Sequence, residues 1–214
     1  NNIMRHLQVW NIAVDLSLHD QAAFGTFVSA MMAGVRGGKL PEFEASYLDG
    51  LSGHALRKAW MERAEATAAA FAAADPKLRL KWVGPEMSAL SSITARLMKT
   101  WAHAQAIYDA LGVDRRDTDR IGNIVRLGVI TWGFTWKNRR MEPPGPMPQL
   151  RLNAPSGAIW EYGEPSDSGM ISGSATAFCQ VVTQCRHVAD TSLEVTGEVA
   201  HQWMRIAQCF AGPP

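Results

Sequence analysis

Over the first two-thirds of the chain apolar residues recur at helical spacing, and over the last third they fall into short alternating runs. Ile3, Leu7, Trp10, Val14 and Leu18 share one face and predict a helix over Ile3–Leu18. Asp20 is a suitable N-cap for a second helix reaching Met32, with Gly34 as its stop. Gly37 and Gly38 read as a loop, and Pro41 as the start of a short helical piece ending at Gly50. Ser52 caps an alanine-rich helix, Gly53–Ala74, which Asp75-Pro76 ends because the residue before a proline is pushed out of the helical region. Leu78–Pro85 reads as extended. Ser88 then caps a helix running to Leu111 with Gly112 just past its end, and Thr118 caps another over Asp119–Arg140. Long helices with short connections predict a bundle, with no pair of strands between residues 52 and 140.

The pattern changes at Met141–Pro148, MEPPGPMP, where four prolines in eight residues rule out a continuing helix. This gives residues 1–142 as a helical domain, 143–148 as a stiff linker and 149–214 as a small α/β domain, an α+β chain overall. Within the last part, Gln149–Asn153 and Ala158–Tyr162 flank Pro155-Ser156-Gly157 and predict a hairpin. Ser174–His187 and Glu198–Phe210 read as helices, and Ser192–Val195 as a strand.

Composition narrows the function. The net charge of +1 gives no electrostatic case for nucleic acid or an anionic membrane surface. No apolar run approaches the roughly 20 residues of a membrane helix, and no signal peptide is evident. Cys179, Cys185 and Cys209 are odd in number and form no C-x-x-C pair, so they read as reduced thiols of a soluble cytoplasmic protein. Eight tryptophans are many for this length; the majority are expected in the core, and some in the lining of a ligand pocket.

Of the six histidines, His19, His54 and His201 have no partner in sequence. His103 lies in Lys99-Thr-Trp-Ala-His-Ala-Gln, on a helix whose apolar stripe is Leu90, Ile93, Leu97, Trp101, Ala104 and Tyr108. It falls off the centre of that stripe, beside Ser92, Arg96 and Lys99. That placement fits either a solvated polar face or the polar wall of a pocket between helices. H-E-x-x-H, G-x-S-x-G, the P-loop and G-x-G-x-x-G are all absent, so no motif names a reaction.

The stretch from Met87 to Gln105, MSALSSITARLMKTWAHAQ, resembles the third long helix of the DinB-like superfamily. It is most similar to the branch of mycothiol-dependent maleylpyruvate isomerase. The resemblance extends through His6-Leu, Arg126-Leu-Gly-Val, Gly133-Phe-Thr-Trp-Lys-Asn-Arg, Glu142-Pro-Pro, Phe178 to His187, and Ile206 to Pro214. It implies a metal-binding DinB-like bundle followed by a small C-terminal α/β domain. The family carries a further helix ahead of the one bearing the early histidine, so this bundle is expected to lack a first helix and to have an open wall or a partner there.

The resemblance also implies a divalent metal, zinc foremost, held by an early histidine and a Glu-x-x-x-His pair on one helix face. The early histidine matches His6 and the later one His103, but Lys99 stands at the glutamate position. An ammonium has no lone pair to offer a cation, so His187 is the substitute third ligand, or Lys99 itself acts as a catalytic base or cation. Low-molecular-weight thiols serve this family, which implies an isomerase or transferase acting on a small-molecule substrate, with Trp10, Trp101, Trp132 and Trp136 lining its pocket. The alternative is a metal-free descendant: a cofactor-independent isomerase or cyclase, or a small-molecule binding protein, in secondary metabolism. A homodimer is open to either.

Overall fold

The structure, a computed structural model, describes residues 2–84 and 86–212. Pro85, where the extended stretch was expected to end, and Pro213 and Pro214 lie outside them, as does Asn1. The chain divides into two compact units, one through Arg96 and the other from Leu97 onward.

In the first unit, helix α1 (Asn2–His19) packs against α2 (Gln21–Arg36), α3 (Leu40–Ser46) and α4 (Gly53–Ala73). The aspartate cap forms as expected: Asp20 accepts from the backbone of Ala22 and Ala23 at 3.1 and 2.9 Å. Helix α2 runs past Gly34 and stops at Gly37. Phe24, Phe27 and Leu56 form one apolar core, and Val14, Phe71, Leu80 and Ala89 a second, smaller one.

One expectation fails here. Between α4 and the next helix, β1 (Arg79–Leu80) and β2 (Met87–Ser88) form an antiparallel ladder, with Arg79 opposite Ser88 and Leu80 opposite Met87. Leu80 is buried against the α1 and α4 side chains, and a backbone drawn inside by its side chain needs a partner for its own polar groups. Two residues per strand are too few to leave an alternating pattern. Helix α5 (Ala89–Leu111) follows, with the Ser88 hydroxyl accepting from the Ser91 amide at 3.1 Å.

In the second unit the expected helix over Asp119–Arg140 is divided. A 3-10 turn (Asp119–Ile121) leads into α6 (Gly122–Ile130), and α7 (Trp132–Lys137) follows a break at Thr131. The Thr131 hydroxyl bonds back to the Leu127 carbonyl at 2.7 Å and so competes with the helical ladder. The proline-rich residues 143–148 belong to this unit, and Met147 packs against its core.

Strands β3 (Gln149–Asn153) and β4 (Ile159–Tyr162) form the expected hairpin, with Leu152 opposite Trp160. They are part of a four-stranded sheet of order β4-β3-β5-β6. Strand β5 (Met170–Ser174) runs parallel to β3, and β6 (Glu194–Thr196) antiparallel to β5. The sequence reading misses β5, because Met-Ile-Ser-Gly-Ser carries little apolar alternation. At its start Gly169 has φ +96°, and an added Cβ would lie 1.8 Å from the Thr196 carbonyl oxygen, so no other residue fits. Helix α8 (Ala175–Val182) ends well before His187, the chain turning at Gln184 with φ 59°. Helix α9 (Glu198–Ile206) closes the fold, and Trp203, Phe178, Ile171 and Leu150 are wholly buried in its core. Among the described residues no helix is long and apolar enough to cross a membrane.

Candidate functional site

Each unit holds residues with chemistry to offer. In the first, His6 on α1 places Nδ1 2.5 Å from Glu44 Oε1 of α3. A carboxylate against one ring nitrogen fixes the orientation of the imidazole. The ring meets Trp10 edge-on at 6.0 Å, and Trp10 in turn packs on Phe27 and Trp82.

The same unit buries a guanidinium. Arg96, near the start of α5, is 7% exposed and donates through Nε to Asn11 Oδ1 at 2.5 Å and through Nη2 to the Leu7 carbonyl at 2.7 Å. Burial lowers its pKa from the usual arginine value to about 10, and no carboxylate offsets the shift. Ser92, one turn earlier, is buried as well. Both residues lie on the polar side of the α5 pattern, which fitted either a solvated face or the polar wall of a pocket, and both are buried.

Lys99 and His103 lie one turn apart on the part of α5 that belongs to the second unit, and both are half-buried. His187, also in the second unit, is exposed; it caps the 3-10 turn Val188–Asp190, with Nδ1 accepting from the Ala189 amide at 3.2 Å. Among the described residues no three His, Cys, Asp or Glu side chains come together to hold a metal ion. The described side chains do not assemble the donor set of a resident divalent ion, and Lys99, one turn from His103, is not a metal ligand type.

Of the four tryptophans expected to line a pocket, Trp136 is 1% exposed in the apolar core, and Trp132 packs edge-on against Trp136 and Trp203. Trp101 borders a cavity of about 230 Å³ together with Tyr108, Arg115, Asp117 and Ile124. Arg115 lies over the Trp101 ring at 4.3 Å, donates to the Trp101 carbonyl at 2.7 Å and pairs with Asp117 at 3.0 Å. Asp117 also accepts from the Trp101 indole at 2.8 Å and from the Thr176 hydroxyl at 3.0 Å. Arg116 and Arg120 line the same cavity and are exposed. This cationic, aromatic wall suits a small anion. Trp101 was among the tryptophans expected to line a pocket, whereas Arg115 was not singled out; its signal was Arg115-Arg116-Asp117 a few residues past the end of α5.

The chain's thiols are poor nucleophiles. Burial holds Cys179 well above its ordinary value, pushes Cys209 to about 12 and raises Cys185.

Residues 1–108 match the model of the family described as "Mycothiol maleylpyruvate isomerase N-terminal domain". Two curated proteins of Mycobacterium tuberculosis, "Uncharacterized protein Rv0036c" of strain H37Rv and "Uncharacterized protein MT0041" of strain CDC 1551, are each 45% identical over 137 residues. The match takes in 64% of this chain and 53% of each relative, so the chain spans about half the length of the curated relatives it matches. No solved structure matches.

Proposed function

The chain belongs to the mycothiol maleylpyruvate isomerase N-terminal domain family, and on that premise we propose that it serves a thiol-dependent reaction of a small anionic molecule, of the isomerase or transferase class. Family membership is the observation that carries this reading. The chain's own cysteines are in keeping with it: burial raises the pKa of all three, so none of them is an activated thiolate, and a small-molecule thiol would fill that role.

In an isomerisation of this type the thiolate adds to a conjugated double bond, leaving a single bond that can rotate. The carbon–sulfur bond then breaks, restoring the double bond and returning the thiol unchanged. Negative charge builds on the substrate's carbonyl oxygen after addition. Lys99, at the position where the resembling families carry a metal-ligating carboxylate, is assigned the cationic role of stabilising that charge. Trp101 and Arg115 are assigned to the substrate's apolar body and a carboxylate.

A second reading, a metal-free binding protein, is favoured by Lys99, which stands where the resemblance places a metal-ligating glutamate. The two separate on one assay. Maleylpyruvate and mycothiol are mixed with the protein, and the cis-to-trans conversion is followed by absorbance. Thiol-dependent turnover that falls at least tenfold in Lys99→Met supports the enzyme. Binding of maleylpyruvate without turnover leaves the binding protein.

A further inference from the structure

The polar interior of the first unit is not explained by folding. Arg96 has five N–H groups, and the two hydrogen bonds above leave Nη1 buried with no partner among the described residues. The amide nitrogen of Asn11, on the very side chain that accepts from Arg96, is also buried and unpartnered. So is the hydroxyl of Ser92, one turn before Arg96 on α5. Three buried hydrogen-bond donors from two helices thus lack a partner among the described residues.

The charge is unanswered too. No acidic side chain pairs with Arg96 among the described residues; Glu44 is held by His6 and Asp15 by Arg63 at 3.3 Å. A buried arginine without a counter-charge opposes folding, and buried charges are as a rule paired. We propose that Arg96, Asn11 and Ser92 form an internal site for the carboxylate of a small molecule. One guanidinium neutralises one negative charge, and the Asn11 and Ser92 donors add hydrogen bonds but no further charge. A carboxylate monoanion fits that balance, whereas a phosphate dianion would leave excess charge buried. One turn either side of Asn11 on α1 stand Leu7 and Val14, and Ile93 follows Ser92 on α5; all three are aliphatic, which suits the apolar body of a carboxylic acid. This site lies in the first unit and stands apart from the thiol reading, since binding there needs no thiol.

The test uses the whole chain and two probes, butyrate and inorganic phosphate, each against sodium chloride of equal ionic strength. Butyrate at roughly ten times its dissociation constant is expected to raise the melting temperature of the wild type by about 3 °C beyond the chloride control, and phosphate by no more than chloride. Arg96→Met is expected to lose the butyrate response. Asn11→Asp places a carboxylate on the guanidinium within the protein itself, so it is expected to melt higher than wild type and to ignore butyrate. That variant carries the test even if Arg96→Met does not fold. A wild type that responds to butyrate no more than to chloride, or an Asn11→Asp protein that responds like wild type, overturns the site. A phosphate response exceeding that of butyrate overturns the carboxylate assignment.

Discussion

The two units bury polar side chains to opposite effect. In the second, the Thr135 hydroxyl, 1% exposed as a residue, bridges both the amide and the carbonyl of Gln208 at 3.2 Å. Asp117 there accepts from an indole, a guanidinium and a hydroxyl. Among the described residues of that unit, the buried polar side-chain atoms without partners are the indole nitrogens of Trp136 and Trp203. In the first unit Gln8, Asn11, Thr67, Ser92 and Arg96 each keep a buried polar atom with no partner among the described residues. Satisfied polar groups hold a scaffold together; unsatisfied ones cost stability unless something else meets them. The second interior is a scaffold, and the first retains polarity that folding alone does not reward.

The largest effect should come from the scaffold. Trp203→Ala opens a cavity in a fully buried position against Phe178 and Trp132 and should lower unfolding free energy by about 4 kcal/mol, read from the midpoint of urea denaturation. A loss below about 1 kcal/mol would mean this core is loosely packed.

A matched pair of isosteric changes sharpens the contrast. Thr135→Val strands the amide and carbonyl of Gln208 and should cost about 2 kcal/mol. Thr67→Val, at 3% exposure on α4, removes a hydroxyl that bonds to nothing described and should be neutral or stabilising by up to about 1 kcal/mol. Equal losses in the two variants would erase the distinction between the interiors.

The smallest effect lies at the surface. Arg186 hydrogen-bonds Asp109 and holds its carboxyl below the ordinary range. A carboxylate with a lowered folded-state pKa adds stability at neutral pH, and that contribution is lost as pH falls through the lowered value. Asp109→Asn should therefore flatten the acid limb of the stability curve below about pH 4 and leave the neutral-pH midpoint nearly unchanged, as exposed pairs do.

What was legible in the sequence follows the same division. The long helices were readable because Leu7, Trp10 and Val14 repeat at helical spacing. The β3–β4 hairpin was readable from alternation around Pro155-Ser156-Gly157. Strand β5 was not, because its place comes from pairing with β3 across 21 residues, counted from Gln149 to Met170, and not from its own pattern. The His6 and His103 candidates came from resemblance, and the family match over residues 1–108 includes both. Neither Arg96 nor Arg115 was singled out. A polar side chain buried by its neighbours looks, in one dimension, like any solvated residue.

The interior of the first unit holds a carboxylate site of its own, apart from the open cavity at Trp101 and Arg115. Hydrogen exchange with and without butyrate tests it most directly. The account predicts slowed exchange in peptides from residues 5–14 of α1 and 89–97 of α5, with peptides of β3, β5 and α8 unchanged. Slowing confined to the second unit, around Trp101 to Asp117, or no slowing at a butyrate concentration that raises the melting temperature, would contradict it.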